Sequence, residues 1–180
     1  MRYIAAPWRA DYVRQGPTPK RCVFCEAVRS ADDRTAAVVW RGRHNIILLN
    51  RFPYTPGHLL ISPKRHRADF AAAGPAERNE LTELFQLSLR LLGRAYRPQG
   101  FNAGMNLGAS AGAGVTGHYH LHIVPRWTGD ANFMPLVGGT RVFIEDLDMT
   151  YQKLRPLFDQ ERRRRERAGR AKGRASAPSR

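Results

Sequence analysis

Three histidines alternate with aromatic and apolar residues in the segment from His118 to His122. Side chains of a β-strand point alternately to its two faces, so this spacing predicts a strand over 118–124 with all three imidazoles on one face. Three adjacent imidazoles suit a core poorly, whereas histidine changes charge near neutral pH without a perturbed pKa. The pattern therefore predicts a reactive surface; the alternatives are a half-exposed strand with incidental polar residues and a transition-metal site.

Composition indicates one domain without a membrane span. The chain has 180 residues, of which 42% are hydrophobic, enough for a core. No stretch approaches the roughly 18 consecutive apolar residues that a spanning helix needs, and the first residues lack the apolar region of a signal peptide. Two cysteines, Cys22 and Cys25, cannot make a disulfide framework, so we expect a reduced, cytoplasmic protein without a membrane partner.

The net charge of +15 is unevenly distributed. Residues 161–180 hold nine Lys or Arg against two Glu, a net +7, which leaves +8 for the other 160 residues. The body charge suits a polyanionic ligand. We expect an N-terminal arm over 1–20, a domain over 21–160 and a basic, largely disordered tail over 161–180. The tail could contact nucleic acid or anionic lipid, but the absence of interleaved aromatic residues favours a solvated tail.

Local patterns predict several short strands and two helices. Strands are expected over 38–41, 45–50, 58–62, 101–107 and 118–124. The main helix is expected over 75–96, because Pro75 suits a first turn and apolar residues recur at helical spacing. A C-terminal helix should begin near residues 146–148, with Pro156 as a kink or a break. This arrangement predicts an α+β sheet with helices on one face.

The residues 118–124 match the pattern His-apolar-His-apolar-His-apolar-apolar and resemble the signature of the histidine triad (HIT) nucleotide hydrolases and transferases. The resemblance extends from about Cys22 to Phe158. Within it, the segments 100–108 and 125–133 are most similar to the bacterial diadenosine tetraphosphate phosphorylase branch. The resemblance implies an antiparallel sheet of about five strands with a long helix and a C-terminal helix, usually in a symmetric homodimer.

The order of the histidines suggests a role for each. A neutral imidazole can attack phosphorus with one nitrogen while the other keeps its proton, so the central His120 is the expected nucleophile. His122 would stabilise charge on the phosphate oxygens, and His118 would orient the cluster or hold a metal. The resemblance implies attack at an α-phosphate of adenine nucleotides such as diadenosine tetraphosphate. Water or inorganic phosphate then releases the nucleotide, and the resemblance of residues 129–133 to the phosphorylase branch favours phosphate.

A glycine-rich loop over 108–117 leads into the triad strand. Backbone N–H groups at Gly112, Gly114 and Thr116 could cradle a phosphate, although the loop also suits an ordinary flexible connection. Many similar proteins carry Gln and Ser or Thr three or four residues before the first histidine, where this chain has Gly114 and Val115. Thr116 or loop amides would then contact the leaving group, or the second substrate differs.

Three further side chains are matched by the resemblance. Asn50 stands where related chains bind the ribose hydroxyls, Asn106 where an amide faces the scissile region, and His58 where a fourth histidine lies near the triad. An amide oxygen can accept from both ribose hydroxyls. The alternative for Asn50 is a strand-end residue that satisfies its own turn. His58 alone would have been interpreted as a turn residue.

The pair Cys22 and Cys25 has the spacing of zinc-binding thiolates, but one pair is half a site. The resemblance supplies His66 and His118 as the remaining ligands of a structural zinc. Such an ion would join the triad strand to the N-terminal segment without taking part in the reaction. The alternative is two reduced, buried thiols.

Other functions also fit the residues. A nucleoside phosphoramidate hydrolase would use the same three histidines to remove an amine from AMP. A nucleic-acid-associated protein would use the basic tail and act on adenylated ends. A non-catalytic, zinc-stabilised scaffold is disfavoured because the central His120 is intact.

Overall fold

The computed structural model describes residues 21–130 and 145–175. The predicted N-terminal arm and residues 131–133 of the phosphorylase-like segment lie outside them. The elements are α1 (Val23–Arg29), β1 (Val38–Arg41), β2 (Asn45–Leu49), β3 (Leu59–Pro63), α2 (Pro75–Tyr96), β4 (Gly100–Gly104), a 3₁₀ turn (Ala109–Ala111), β5 (Leu121–Arg126) and α3 (Leu147–Ala175).

The five strands form one sheet in the order β1-β2-β3-β5-β4, and every neighbouring pair is antiparallel. Strand β5, the last of the described strands, therefore inserts between β3 and β4. His122 on β5 lies opposite Leu60 on one side and Gly104 on the other. The predicted fold class is confirmed, and the triad strand is held from both sides by backbone hydrogen bonds.

Alternating burial along the strands creates a separate apolar cluster on each face of the sheet. Helices α2 and α3 cover the main cluster, with Leu87, Leu92, Leu154 and Phe158 fully buried. The short helix α1 covers the opposite face, where Phe24 packs with residues of β1, β2 and β3. Each fully buried large apolar side chain stabilises the fold by roughly 1.5–3 kcal/mol. The expectation of helices on one face only is therefore wrong.

The two long helices differ in how well their ends were predicted from the sequence. Helix α2 has the predicted bounds, with Pro75 in its first turn and a left-handed Arg97 (φ 47°) at its end. Helix α3 runs through Pro156, so this proline does not break it. A proline inside a helix costs about 3 kcal/mol. Neighbouring Leu154 and Phe158 are fully buried in the main cluster, and this packing outweighs the local cost.

Residues 161–175, the first part of the expected basic tail, continue α3. Glu161 accepts hydrogen bonds from Arg164 and Arg165 one turn further on. The guanidinium carbons of Arg162 and Arg165 lie 5.2 Å and 5.5 Å from the centre of the Trp40 ring on β1. These contacts attach the start of the basic segment to the domain. Among the residues described, no helix combines the length and apolar character required to cross a bilayer.

Candidate functional site

The three histidines lie on the face of the sheet opposite the main cluster, as their alternation predicts. The intervening side chains, Tyr119, Leu121 and Ile123, are buried in that cluster. Regular pairing in β5 begins only at Leu121, but the preceding residues are also held in place. The Tyr119 amide donates to the Arg67 carbonyl at 2.8 Å, and its hydroxyl donates to the Glu77 carboxylate on α2. The core side of the segment therefore anchors the histidine side.

The histidine side is recessed rather than open. His118 has no exposed surface and His120 retains 6%. The ring of Phe24 on α1 lies 5.2 Å from the His118 ring and 4.6 Å from the His120 ring, centre to centre. The predicted reactive surface is recessed because α1 covers two of the three imidazoles. Sequence analysis missed Phe24, although it lies inside the Cys22–Cys25 segment.

A backbone carbonyl determines which nitrogen of His120 carries the proton. The ring Nδ1 lies 3.0 Å from the carbonyl oxygen of His118. A carbonyl only accepts, so Nδ1 donates and the neutral ring has its lone pair on Nε2. Burial lowers the pKa of His120 more than the carbonyl contact raises it, which favours the neutral ring. Within the described residues Nε2 has no hydrogen-bond partner, so the arrangement suits a nucleophile.

His58 and His122 form a second pair of imidazoles beside His118 and His120. The amide of Tyr54 donates to His58 Nδ1 at 3.1 Å, so neutral His58 carries its proton on Nε2. That proton is donated to His122 Nδ1 at 3.0 Å, and a neutral His122 then keeps its own proton on Nε2. Burial, reinforced by His122 and His120, lowers the pKa of His58 to about 3. His58 is therefore neutral at physiological pH and directs the Nε2–H tautomer of His122.

Tyr54 contributes its ring as well as its amide. The ring centre lies 4.9 Å from that of His58, and the ring is stacked on His122 at 6.3 Å with 18° between the planes. His122 is also 4.8 Å from His120, centre to centre. The turn before β3 therefore packs against the outer end of the histidine cluster. Sequence analysis assigned Tyr54 no role.

Of the predicted nucleotide-binding side chains, Asn50 lies beside this cluster and Asn106 contacts the glycine-rich loop. Asn50 Oδ1 accepts the Phe52 amide at 3.0 Å, which is the predicted turn alternative. Its Nδ2 lies 3.3 Å from His58 Nδ1, so the side chain also reaches the cluster. Asn106 Nδ2 donates to the carbonyl of Gly112 at 3.5 Å. Within the loop, the predicted phosphate-contacting residues are exposed: Gly112, Gly114 and Thr116.

A second group of side chains meets behind His118. The ligand atoms of Cys22, Cys25, His66 and His118 all lie within 4.8 Å of one another. Cys22 Sγ is 3.3 Å from His118 Nδ1, and Cys25 Sγ is 3.3 Å from His66 Nδ1. We call these four residues the metal group.

The chemistry of the metal group fits a tetrahedral metal ion. Two thiolates and two imidazoles are a common donor set for zinc. His118 Nε2 donates to the carbonyl of Pro63 at 2.8 Å, which leaves the lone pair on Nδ1 facing the cysteines. The structure therefore brings together all four residues proposed from the sequence, with the tautomer that a metal ligand requires.

The antiparallel sheet, the long helix α2 and the recessed imidazole cluster define a histidine triad protein. A sequence profile of the HIT domain matches residues 32–129, and the chain belongs to this family. AP-4-A phosphorylase of Mycobacterium tuberculosis is 37% identical over 150 residues, which cover 79% of this chain and 76% of that protein.

Two solved structures resemble the fold. A Zn-bound histidine triad family protein from Mycobacterium smegmatis has a TM-score of 0.62 and 27% identity, covering 81% of this chain and 96% of that one. A hypothetical histidine triad nucleotide-binding protein from Sulfolobus tokodaii has a TM-score of 0.61 and 25% identity, covering 77% and 93%. Both alignments cover more than three quarters of this chain.

The environment of His58 predicts a specific loss of stability in acid. Folded His58 stays neutral down to a pKa of about 3, whereas the unfolded residue takes up a proton near pH 6.5. The unfolded state binds more protons between these values, so the free energy of unfolding falls with pH by up to about 1.4 kcal/mol per unit. The His58→Gln variant lacks this contribution, so the stability difference between wild type and variant should shrink as pH falls.

Urea unfolding at pH 7, 6 and 5 measures this difference. His44→Gln is the matched control, because His44 lies outside the cluster; its curve should parallel that of the wild type. Parallel pH profiles for wild type and His58→Gln would contradict the buried, neutral state of His58.

Proposed function

We propose that this chain is an enzyme that cleaves dinucleoside polyphosphates, with diadenosine tetraphosphate as the main candidate, by nucleotidyl transfer through His120. The observation that carries this proposal is the hydrogen bond from His120 Nδ1 to the His118 carbonyl at 3.0 Å. It leaves a nucleophilic lone pair on Nε2 in a ring that burial favours as neutral. The name of the Mycobacterium tuberculosis relative, AP-4-A phosphorylase, supports the substrate class.

In the first step, Nε2 of His120 attacks an α-phosphorus in line with the bridging oxygen. The bond from phosphorus to that oxygen breaks, ATP leaves, and AMP remains bonded to the imidazole. The positive charge that develops on the ring is stabilised by the His118 carbonyl at Nδ1. Nucleotidyl transfer depends mainly on positioning and charge neutralisation, so these contacts supply what the step requires.

In the second step, an oxygen of inorganic phosphate attacks the same phosphorus, the P–N bond breaks, and ADP is released. Phosphate is preferred over water as this nucleophile because of the likeness to AP-4-A phosphorylase. The nucleoside phosphoramidate hydrolase alternative shares the covalent intermediate and differs in the leaving group, which would be an amine.

The remaining residues are assigned to binding and charge stabilisation. His122, held as the Nε2–H tautomer by His58, would donate to the non-bridging oxygens of the attacked phosphate. Asn50, adjacent to His58, would bind the ribose hydroxyls. Further contacts to the polyphosphate are assigned to Asn106 and to the exposed amides of Gly112, Gly114 and Thr116. The excess positive charge of the chain favours capture of such a polyanion.

We infer that the metal group holds a structural Zn²⁺. Its donor set and separations match zinc, and the Mycobacterium smegmatis protein of similar fold is described as Zn-bound. The ion would join α1 to the segment before β5 and supply no step of the reaction. His118 would serve both the metal and the proposed nucleophile. Its ring would bind the metal, and its carbonyl accepts the hydrogen bond from His120.

We also infer a homodimer that pairs through β4. This strand lies at the edge of the sheet, and its residues 102–104 are exposed. Its sequence, Gly-Phe-Asn-Ala-Gly, contains no charged residue, although charges commonly protect exposed strand edges from pairing. Addition of the same strand from a second copy would satisfy these backbone groups with two-fold symmetry.

The proposed reaction is tested with diadenosine tetraphosphate in the presence and absence of phosphate. Wild type should release ADP and ATP only with phosphate, and His120→Asn should lower turnover by at least about 10³-fold while retaining nucleotide binding. Binding by His120→Asn is measured by calorimetry. Release of AMP and ATP irrespective of phosphate would overturn phosphorolysis, and full turnover by His120→Asn would overturn the role of His120.

The zinc proposal is tested by elemental analysis of purified protein. We expect about one zinc per chain in the wild type, and much less in Cys22→Ser and His66→Asn, which each remove one of four ligands. Their melting temperatures should fall as well. His44→Asn is the matched control and should keep its zinc. Equal zinc content in all four proteins would exclude the metal group as the binding site.

The dimer proposal is tested by light scattering coupled to gel filtration. Wild type should have twice the mass of one chain, and Ala103→Lys on β4 should have the mass of a single chain because a charge at the edge opposes pairing. Ala71→Lys, at another exposed alanine, should remain a dimer. A monomeric wild type would refute the assembly.

A further inference from the structure

Beyond its buried part, helix α3 continues as a strongly basic segment. Residues 161–175 contain eight Lys or Arg and two Glu. Some of these charges serve the fold: Arg162 and Arg165 lie over the Trp40 ring, and Arg164 is paired with Glu161 at 2.8 Å. Arg162 and Arg165 are partly buried, and the charge of Arg164 is compensated by Glu161. The net charge of the segment therefore overstates the charge that is available to a partner.

Three other arginines point away from the domain. Arg163, Arg167 and Arg170 are exposed, and none forms an ion pair or hydrogen bond within the described part of the chain. Their spacing of i, i+4 and i+7 places them within about 60° of one another on a helix, along roughly 10 Å of its axis. We call them the arginine stripe. Glu166 borders the stripe, so one negative charge lies beside three positive ones.

The surroundings of the arginine stripe restrict the kind of partner. The exposed residues between its members are Arg164, Glu166, Ala168 and Gly169, with no large apolar side chain. A helix that inserts into a membrane surface needs an apolar face, which this segment lacks. Binding of single-stranded nucleic acid commonly relies on aromatic stacking, and residues 161–175 contain no aromatic residue. A partner that presents only closely spaced negative charges remains.

We propose that the arginine stripe docks on the sugar–phosphate backbone of double-stranded nucleic acid, without reading its base sequence. A duplex strand presents one phosphate about every 3.4 Å along its axis, and guanidinium groups bind phosphate through paired hydrogen bonds. A helix displays three such groups in a fixed line, whereas a disordered tail would lose entropy on binding. DNA and RNA duplexes share this chemistry. The surface is separate from the nucleotide-cleaving function and does not depend on it.

The test compares two triple variants of the full chain. The first carries Arg163→Gln, Arg167→Gln and Arg170→Gln. The control carries Gln at three exposed arginines elsewhere, which removes the same charge: Arg43, Arg94 and Arg97. Binding to labelled 20-base-pair DNA and RNA duplexes of random sequence is measured by fluorescence anisotropy between 50 and 200 mM salt, and circular dichroism verifies that both variants fold.

Loss of three phosphate contacts should weaken duplex binding by at least about tenfold and reduce the slope of log K against log salt by about 2.7. The control variant should bind within about threefold of the wild type, and all three proteins should bind different sequences equally. A preference of the wild type for DNA or RNA would identify which duplex is the partner.

Several results would overturn the proposal. Equal weakening in both triple variants would attribute binding to net charge rather than to the stripe. Tighter binding to a single-stranded oligonucleotide than to the duplex would contradict the recognition of paired strands. Stripe-dependent binding to phosphatidylserine–phosphatidylcholine vesicles, with no effect on duplex binding, would identify a membrane surface instead. Turnover of diadenosine tetraphosphate, measured alongside, reports independently on the proposed enzyme.

Discussion

Backbone groups decide which nitrogen of each buried imidazole carries its proton. The carbonyl of Pro63 accepts from His118, and the carbonyl of His118 accepts from His120. The amide of Tyr54 donates to His58. A carbonyl cannot donate and an amide N–H cannot accept, so these tautomers follow from the chain path alone. The chemical properties of the cluster therefore depend on the position of main-chain atoms, which the sheet and its two apolar clusters hold in place.

His118 connects the metal group to His120 because three of its atoms make three different contacts. Its Nδ1 faces the cysteines, its Nε2 donates to Pro63, and its carbonyl accepts from His120. Any movement of the metal group therefore moves the acceptor that orients the His120 ring. Phe24, on the same short helix as Cys25, packs on both rings and transmits the same constraint through van der Waals contact. The orientation of the His120 ring consequently depends on the position of the metal group.

The sequence predicted what depends on local pattern. Alternation separated the histidines from Tyr119, and proline and apolar spacing predicted α2 with its observed bounds. What it missed depends on contacts between distant segments. Helix α1 has only seven residues, too few for a clear apolar period, yet it buries two of the imidazoles. Alternation states which side chains share a face; it contains no information about what covers that face.

The same distinction explains the C-terminal helix. Pro156 was expected to kink or break this helix, and the arginine-rich composition to give a largely disordered tail, because each was interpreted from local sequence. Arg155 instead binds Asp33 at 2.7 Å, and Arg162 and Arg165 pack on Trp40, residues that precede them by more than 100 positions. A guanidinium offers a flat face and five donors, so arginine can be part of a folded interface as well as a solvated charge. The strand against which the helix packs decides which arginines are part of the interface and which remain solvated. Composition cannot distinguish the two.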